Sequence, residues 1–283
     1  MKKTHLLHKQ RLPVRWDICA ILIVSFSFSL PPPLAQAWGT QAHRIVAHIA
    51  IAHLSQDARQ QLARFTDSRS LVEIANDADL WRETRPETSP WHYVNIPFDA
   101  SDYDARRDCP TDDCVIAAVI KYQRILADGS QRMEARYEAL AFLVHLVADA
   151  HQPLHCIDNN DRGGNDTMVS FFGAPTNLHA VWDNELLFRT RWGERAYVRR
   201  LMTWVASHNL EALQRGTIVD WVLEAHQLAR TYAYNVPANH ILRSDYYRAN
   251  LPIVDSQLAK AGVRLARVVN DAFQDSQCEG KER

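Results

Sequence analysis

The residues best suited to chemistry lie in the stretch FLVHLVADAHQPLH, positions 142–155. His145 and Asp149 are four residues apart, so a helix would set them one turn above each other on one face. Pro153 bends or ends that helix, which lets His155 turn back toward the same volume. The neighbours Leu143, Val144, Leu146 and Val147 are apolar. Imidazole and carboxylate converging in apolar surroundings suit a borderline-soft divalent ion such as zinc. Taken alone, the pair reads equally as a buried His–Asp hydrogen bond with a second histidine closing the helix. The same four-residue spacing recurs at His179 and Asp183 in LHAVWDNE, which favours metal and suggests more than one ion.

Further candidate ligands are Trp38, His43, Asp79 and His92. His43 shares its helix with His48 and His53, and spacing does not choose among them. Asp79 lies in NDADLWR, where Asp77 competes for the role. His92 lies in PWHYVN, where stacking on Trp91 is the plain alternative. Cys156 follows His155, but nitrogen and oxygen donors already abound, so it is not counted as a ligand.

The elements that must hold these groups are helical. The chain has 283 residues, 47% of them hydrophobic, enough for one large domain with a substantial core. Apolar periodicity predicts helices over 39–54, 58–65 (with an N-cap at Ser55), 71–81, 114–126, 133–150, 178–188, 194–213, 219–234 and 253–273. The stretch 85–113 is irregular and holds Pro86, Pro90, Pro97 and Pro110; a loop that long in a compact domain is usually functional. A second break, 156–176, contains Gly163, Gly164 and Asn165 and a short β-branched and aromatic patch, 167–172. No strand precedes those glycines, which excludes a phosphate-cradling strand–loop–helix. The expected fold is one all-α domain.

Residues 1–37 read as a removable signal peptide: a basic start, an apolar run over 18–30 and Ala35-Gln36-Ala37 as the cleavage signal. The domain that follows, 38–283, holds 27 basic and 32 acidic residues, a formal net charge of −5. Such a domain shows no general electrostatic footprint for nucleic acid, so chemistry on phosphates would need bound metal to supply positive charge. Export also favours a small disulfide between Cys109 and Cys114, while Cys156 and Cys278 either pair or stay free. Periplasm and external medium are both compatible.

WGTQAH, ANDADLWR, WHYVN, FLVHLVADAHQPLH, GGND and NLHAVWD occur in that order. In this the chain resembles the secreted trinuclear-zinc nucleases that cleave single-stranded nucleic acid, over essentially the whole of 38–283. The resemblance implies three zinc ions. Asp79, His92, His145 and Asp149 would hold one, and His155, His179 and Asp183 another. The third would take His43, Asp149 and the free α-amine and carbonyl of Trp38, so that Asp149 bridges two ions. That α-amine exists only after cleavage behind Ala37. Two departures stand out: Asp77 replaces a Trp usual in the family, placing an extra carboxylate by the cluster or marking a repacking. Ser101 stands near the place of a cysteine common in fungal members.

The resemblance also implies a reaction. A hydroxide bridging the ions that share Asp149 attacks phosphorus, and the third zinc stabilises the departing O3′, giving 5′-phosphorylated products, with 3′-nucleotidase activity besides. Arg82 and Asn165 would neutralise the phosphate, unless Arg82 pairs with an acid such as Glu83. Tyr93 would stack a nucleobase and Asn95 hydrogen-bond it, which requires a splayed, single-stranded base; packing beside His92 is the alternative for Tyr93. The competing readings are a zinc phospholipase C, which shares the fold, and a non-catalytic zinc-binding protein. The five-residue step from Trp38 to His43, Asp183 as last ligand and the presence of Arg82 favour the nuclease.

Overall fold

The computed structural model describes residues 38–66 and 69–279; the expected signal peptide, 1–37, lies outside the described residues. The fold is all-α, with a minor sheet. Helix α1 (Thr40–His53) is followed by α2 (Gln56–Phe65), whose N-cap Ser55 accepts from the Ala58 N–H as expected. The segment expected as one helix over 71–81 is two, α3 (Leu71–Ile74) and α4 (Asp77–Thr84). Asn76 leaves helical geometry between them, and the Ala75 carbonyl faces a histidine instead of continuing the ladder.

The proline-rich stretch contains a 3-10 turn, Pro86–His92, and a single helical turn, α5 (Ala105–Asp108). Then come α6 (Val115–Ala127) and α7 (Met133–Asp149). From Ala139 to Asp149 every residue of α7 is buried. A helix apolar all round belongs at the centre of a domain, and this one carries His145 and Asp149 inward with it.

The β-branched patch becomes strand β1 (Met168–Phe171), pairing antiparallel with β2 (Ala174–Asn177) in the register Met168↔Asn177 to Phe171↔Ala174. Phe172 and Gly173 both have positive φ, 52° and 93°, the geometry of a two-residue hairpin turn. Helices α8 (Leu178–Ala180) and α9 (Leu186–Phe188) are joined by a π turn at Val181–Glu185. The expected helix 194–213 is broken around Ser207 into α10 (Glu194–Ala206) and α11 (Leu210–Gln214). Helix α12 (Ile218–Leu228) runs on through a π turn, Ala229–Ala233, to strand β3 (Ile241–Leu242), which lies parallel to β1.

The last helix, α13 (Ser244–Glu279), starts ahead of the expected residue 253 because Pro252, which costs one backbone donor, is absorbed inside it. It packs closely along α1: a Cβ on Gly262 would lie 2.5 Å from the Ile49 side chain. Cys109 and Cys114 form the expected disulfide, and Cys156 is free and buried. Among the described residues no helix is long and apolar enough to cross a membrane.

Candidate metal centre

Among the described residues, three groups of side chains converge tightly enough to hold an ion: His43, His145 and Asp149; Asp79, His92 and His145; and His155, His179 and Asp183. The centre of the site is Asp149, fully buried at the end of α7. Its Oδ1 lies 3.2 Å from His43 Nε2, and its Oδ2 lies 2.9 Å from His92 Nδ1 and 3.2 Å from His145 Nε2. The two oxygens therefore face different histidines, and the rings of His43 and His145 stack with centroids 3.8 Å apart. Asp79 Oδ1 closes the second group at 3.7 Å from His145 and 4.0 Å from His92. In the third group His155 and His179 present Nε2 to Asp183 at 3.6 and 3.2 Å. The third group adjoins the first, with His155 Nδ1 3.6 Å from Asp149 Oδ1.

These separations suit metal. Donors around a tetrahedral zinc stand roughly 3.3 Å apart when each bond is about 2.0–2.1 Å. Orientation decides more than distance. His145, His155 and His179 each donate Nδ1–H to a backbone carbonyl, of Ala75, His92 and Gly163, at 2.9, 3.0 and 2.7 Å. The tautomer is thereby set, and each Nε2 turns a lone pair toward carboxylates. At His145 that lone pair meets Asp79 Oδ1 and Asp149 Oδ2. His145 Nε2 and Asp79 Oδ1 are both buried without a hydrogen-bond partner. Groups converging on one point in this way need a cation between them, a proton on His145 Nε2 or a metal ion in its place, so the residues fit the ion.

The titration behaviour reports the same crowding. Burial would lower the pKa of His145, but Asp149 and Asp79 outweigh it and carry it up to about 9. Burial would raise Asp149, yet the facing histidines hold it well below the carboxylate range. Asp183 sits at about 2 because His179 and His155 overcome its desolvation. His92, whose burial dominates, falls to about 4.

The other expected residues fall around this core. Trp38 is fully buried, and the Gly39 N–H after it donates to the Asp183 carbonyl at 3.0 Å. Of the three histidines on α1, His43 joins the cluster; His48 pairs with Glu194 at 2.9 Å. Trp91 packs on Tyr122 and Phe142 and leaves His92 to the cluster. Arg82 pairs with a neighbouring acid, its Nη2 3.0 Å from Asp79 Oδ1. Asn165 is half-buried and donates to the Arg162 carbonyl at 2.8 Å. After the 3-10 turn the chain is extended, so sides alternate: His92, Val94 and Ile96 point in, Tyr93 and Asn95 out. Backbone bonds from Val94 N–H to the His155 carbonyl, and from Val115 N–H to the Tyr93 carbonyl, fix this segment beside the site.

Asp77 does not join the cluster. Its carboxylate takes a bidentate pair from Arg69 at 2.7 and 3.0 Å and a bond from the Tyr137 hydroxyl at 3.1 Å. The departure is a local repacking with its own cation.

A family model described as S1/P1 Nuclease matches residues 38–274. The chain belongs to the S1/P1 nuclease family. It is therefore a nuclease, a hydrolase of ester bonds. It is 30% identical over 276 residues to Endonuclease 4 of Arabidopsis thaliana and 31% identical over 268 to Endonuclease 3 of that plant. Each alignment covers 84% of this chain and 90% of the relative. Nuclease S1 of Aspergillus oryzae is 28% identical over 262 residues, covering 82% and 91%.

Two positioning residues escaped the sequence reading. Gln152, fully buried, donates Nε2–H to Asp183 Oδ1 at 2.6 Å and accepts from the Leu154 N–H. An amide inside a ligand-bearing segment was its only signal. Asp161 gathers the Gly164 N–H and the Tyr234 and Thr167 hydroxyls, and so shapes the loop that supplies the Gly163 carbonyl. Gly163 has a φ of +61°, and a Cβ there would stand 2.3 Å from the Leu154 carbonyl oxygen. Only glycine brings that carbonyl to His179.

Proposed function

We propose that this protein is an exported zinc-dependent endonuclease of single-stranded RNA and DNA, yielding 5′-phosphorylated mono- and oligonucleotides, with 3′-nucleotidase activity. Asp79, His92, His145 and Asp149 hold one ion, His155, His179 and Asp183 a second, and His43, Asp149 and Trp38 a third. Bound there, zinc lowers the pKa of water and neutralises phosphate charge. The observation that carries the reading is the Asp149 carboxylate, with each oxygen turned to a different histidine group. A carboxylate so placed would serve two ions, which would supply positive charge to one phosphate.

The chain's own groups do the rest. Arg82 and Asn165 steady the phosphate, Arg82 with a planar donor fork suited to its oxygens. Tyr93, 39% exposed, offers a face for a base, and Asn95 shares its side of the segment. Stacking there takes an unpaired base, so the enzyme prefers single strands. Residues 1–37 are removed on export to the periplasm or medium, which frees the Trp38 amine to act as ligand. The precursor is inactive for that reason.

The test uses protein starting at Trp38 and a version with one residue left before it, each with zinc and after chelation. Substrates are single- and double-stranded DNA, single-stranded RNA and lecithin. Zinc-dependent release of 5′-nucleotides from single strands, lost with the extra residue, is expected. Cleavage of lecithin without cleavage of nucleic acid would overturn the reading in favour of a phospholipase.

A further inference from the structure

The stretch 142–155 carries three histidines. His145 and His155 face the metal centre, whereas His151, fully buried, packs beside Trp221 of α12 with ring centroids 5.6 Å apart and meets Arg264 of α13. The cause lies at the end of α7, where a helix leaves its last carbonyls without partners of its own. The Ala150 N–H still reaches back four residues, to Leu146 at 3.0 Å. The next two N–H groups reach back only three, His151 to Ala148 at 3.0 Å and Gln152 to Asp149 at 2.9 Å. The chain thus tightens to 3-10 pairing, about 120° per residue in place of about 100°, and Asp149 stands inside the tightened turn. That switch takes from the Val147 carbonyl the N–H an α-helix would give it. The His151 ring makes up the loss, donating Nδ1–H to that carbonyl at 2.7 Å.

A carbonyl can only accept, so the proton sits on Nδ1 and Nε2 is left as an acceptor. Arg264 Nη1 donates to it at 2.9 Å. The guanidinium is held in turn by its other nitrogens: Nε donates to the Leu213 carbonyl and Nη2 to Glu224 Oε2, both at 2.9 Å. Its Cζ lies 5.3 Å from the centroid of the Trp221 ring. Glu224 offsets a charge that is only 5% exposed. Turning the imidazole over would set C–H groups against both Val147 and Arg264, so the ring has one orientation.

We propose that His151 and Arg264 are positioning residues for Asp149: they hold the last turn of α7 in its tightened form, in which the carboxylate faces two histidine groups. This rests on the metal-centre reading above and adds to it the device that aims the shared ligand. The ion at His155, His179 and Asp183 takes no ligand from α7, so loss of the pair should not reach it.

The experiment compares wild type, His151→Phe, His151→Gln and, as a control for stability alone, Tyr197→Phe, which removes the α10 hydroxyl that donates to buried Asp255. Zinc is titrated against a chromogenic chelator, and zinc-free melts give the stability of each protein. Phenylalanine keeps the bulk of the ring and loses both bonds, whereas an amide offers a donor and an acceptor. In His151→Phe the two ions that share Asp149 should bind roughly tenfold more weakly, as when other partners that orient metal ligands are lost, with the third ion unchanged. His151→Gln should regain most of that affinity. Tyr197→Phe should lower the melting temperature and leave all three affinities alone. The pair is refuted if His151→Phe binds all three ions as wild type does, or weakens all three in step with its melting temperature. Should His151→Phe not fold, Arg264→Lys, whose single nitrogen cannot span His151, Leu213 and Glu224, is judged by the same split. Wild type that takes up no zinc would sink the metal centre and the pair with it, an outcome distinct from three bound ions indifferent to residue 151.

Discussion

On the proposed three-zinc centre, removing the amide of Gln152 should loosen one ion and leave the other two in place. In Gln152→Met the side chain keeps its length but loses the 2.6 Å bond to Asp183 Oδ1. Both partners are buried, so water cannot replace the donor. A hydrogen bond to a charged group contributes about 1.5–3 kcal/mol, or roughly 10- to 100-fold in affinity for whatever needs that carboxylate oriented. Orienting partners of metal ligands have effects of that size. The variant also loses the acceptor of the Leu154 N–H, a cap worth about 1 kcal/mol that lowers stability with or without metal. Zinc titration against a chromogenic chelator separates these effects, with thermal melts of chelated wild type and variant as reference. One ion weakened by the stated factor, the others within about threefold, is the expected result. If all three weaken in parallel with the melting temperature, Gln152 only holds the fold together and the argument fails.

Arg69→Ala strands the carboxylate of Asp77, which is 10% exposed at its side chain, and should cost about 2 kcal/mol after discounting the exposure of Arg69. Arg69→Ala/Asp77→Asn should recover part of this in urea melts; a double variant no more stable than the single would refute the pairing. Gly163→Ala should cost more than about 2 kcal/mol and weaken the ion beside His179, since both φ and the Leu154 carbonyl oppose it. Gly173→Ala, with positive φ but open space, should cost about 1 kcal/mol and leave zinc affinity alone; equal effects would mean that crowding at Gly163 is irrelevant. Glu224 is carried from 4.5 to about 2, because Arg264 and Lys260 outweigh the burial that would raise it. Its contribution is present above the unfolded value and lost as pH falls toward 2, so Glu224→Gln should cost about 2 kcal/mol at pH 7 and progressively less below pH 4.5. A difference that stays constant down to pH 3 would contradict that assignment.

Why some of this could be read from sequence and some could not follows from the range of each interaction. His145 with Asp149 and His179 with Asp183 are legible because one helical turn fixes each pair locally. The burial of α7 was equally legible, since its final eleven residues offer a helix no polar face but those ligands. The split of 71–81 was not. Nothing in that stretch announces that the Ala75 carbonyl will leave the helix for His145, seventy residues away. The same holds for the carbonyls of His92 and Gly163, which orient two more histidines across 63 and 16 residues. A backbone carbonyl has no side-chain identity, so spacing rules are blind to it. The sequence records such contacts only indirectly, as a glycine where any Cβ would collide or an amide where apolar packing would otherwise serve. Gly163 and Gln152 are those marks. They say that the ligands define which ion can bind, while residues without metal-binding chemistry define the direction from which each ligand arrives.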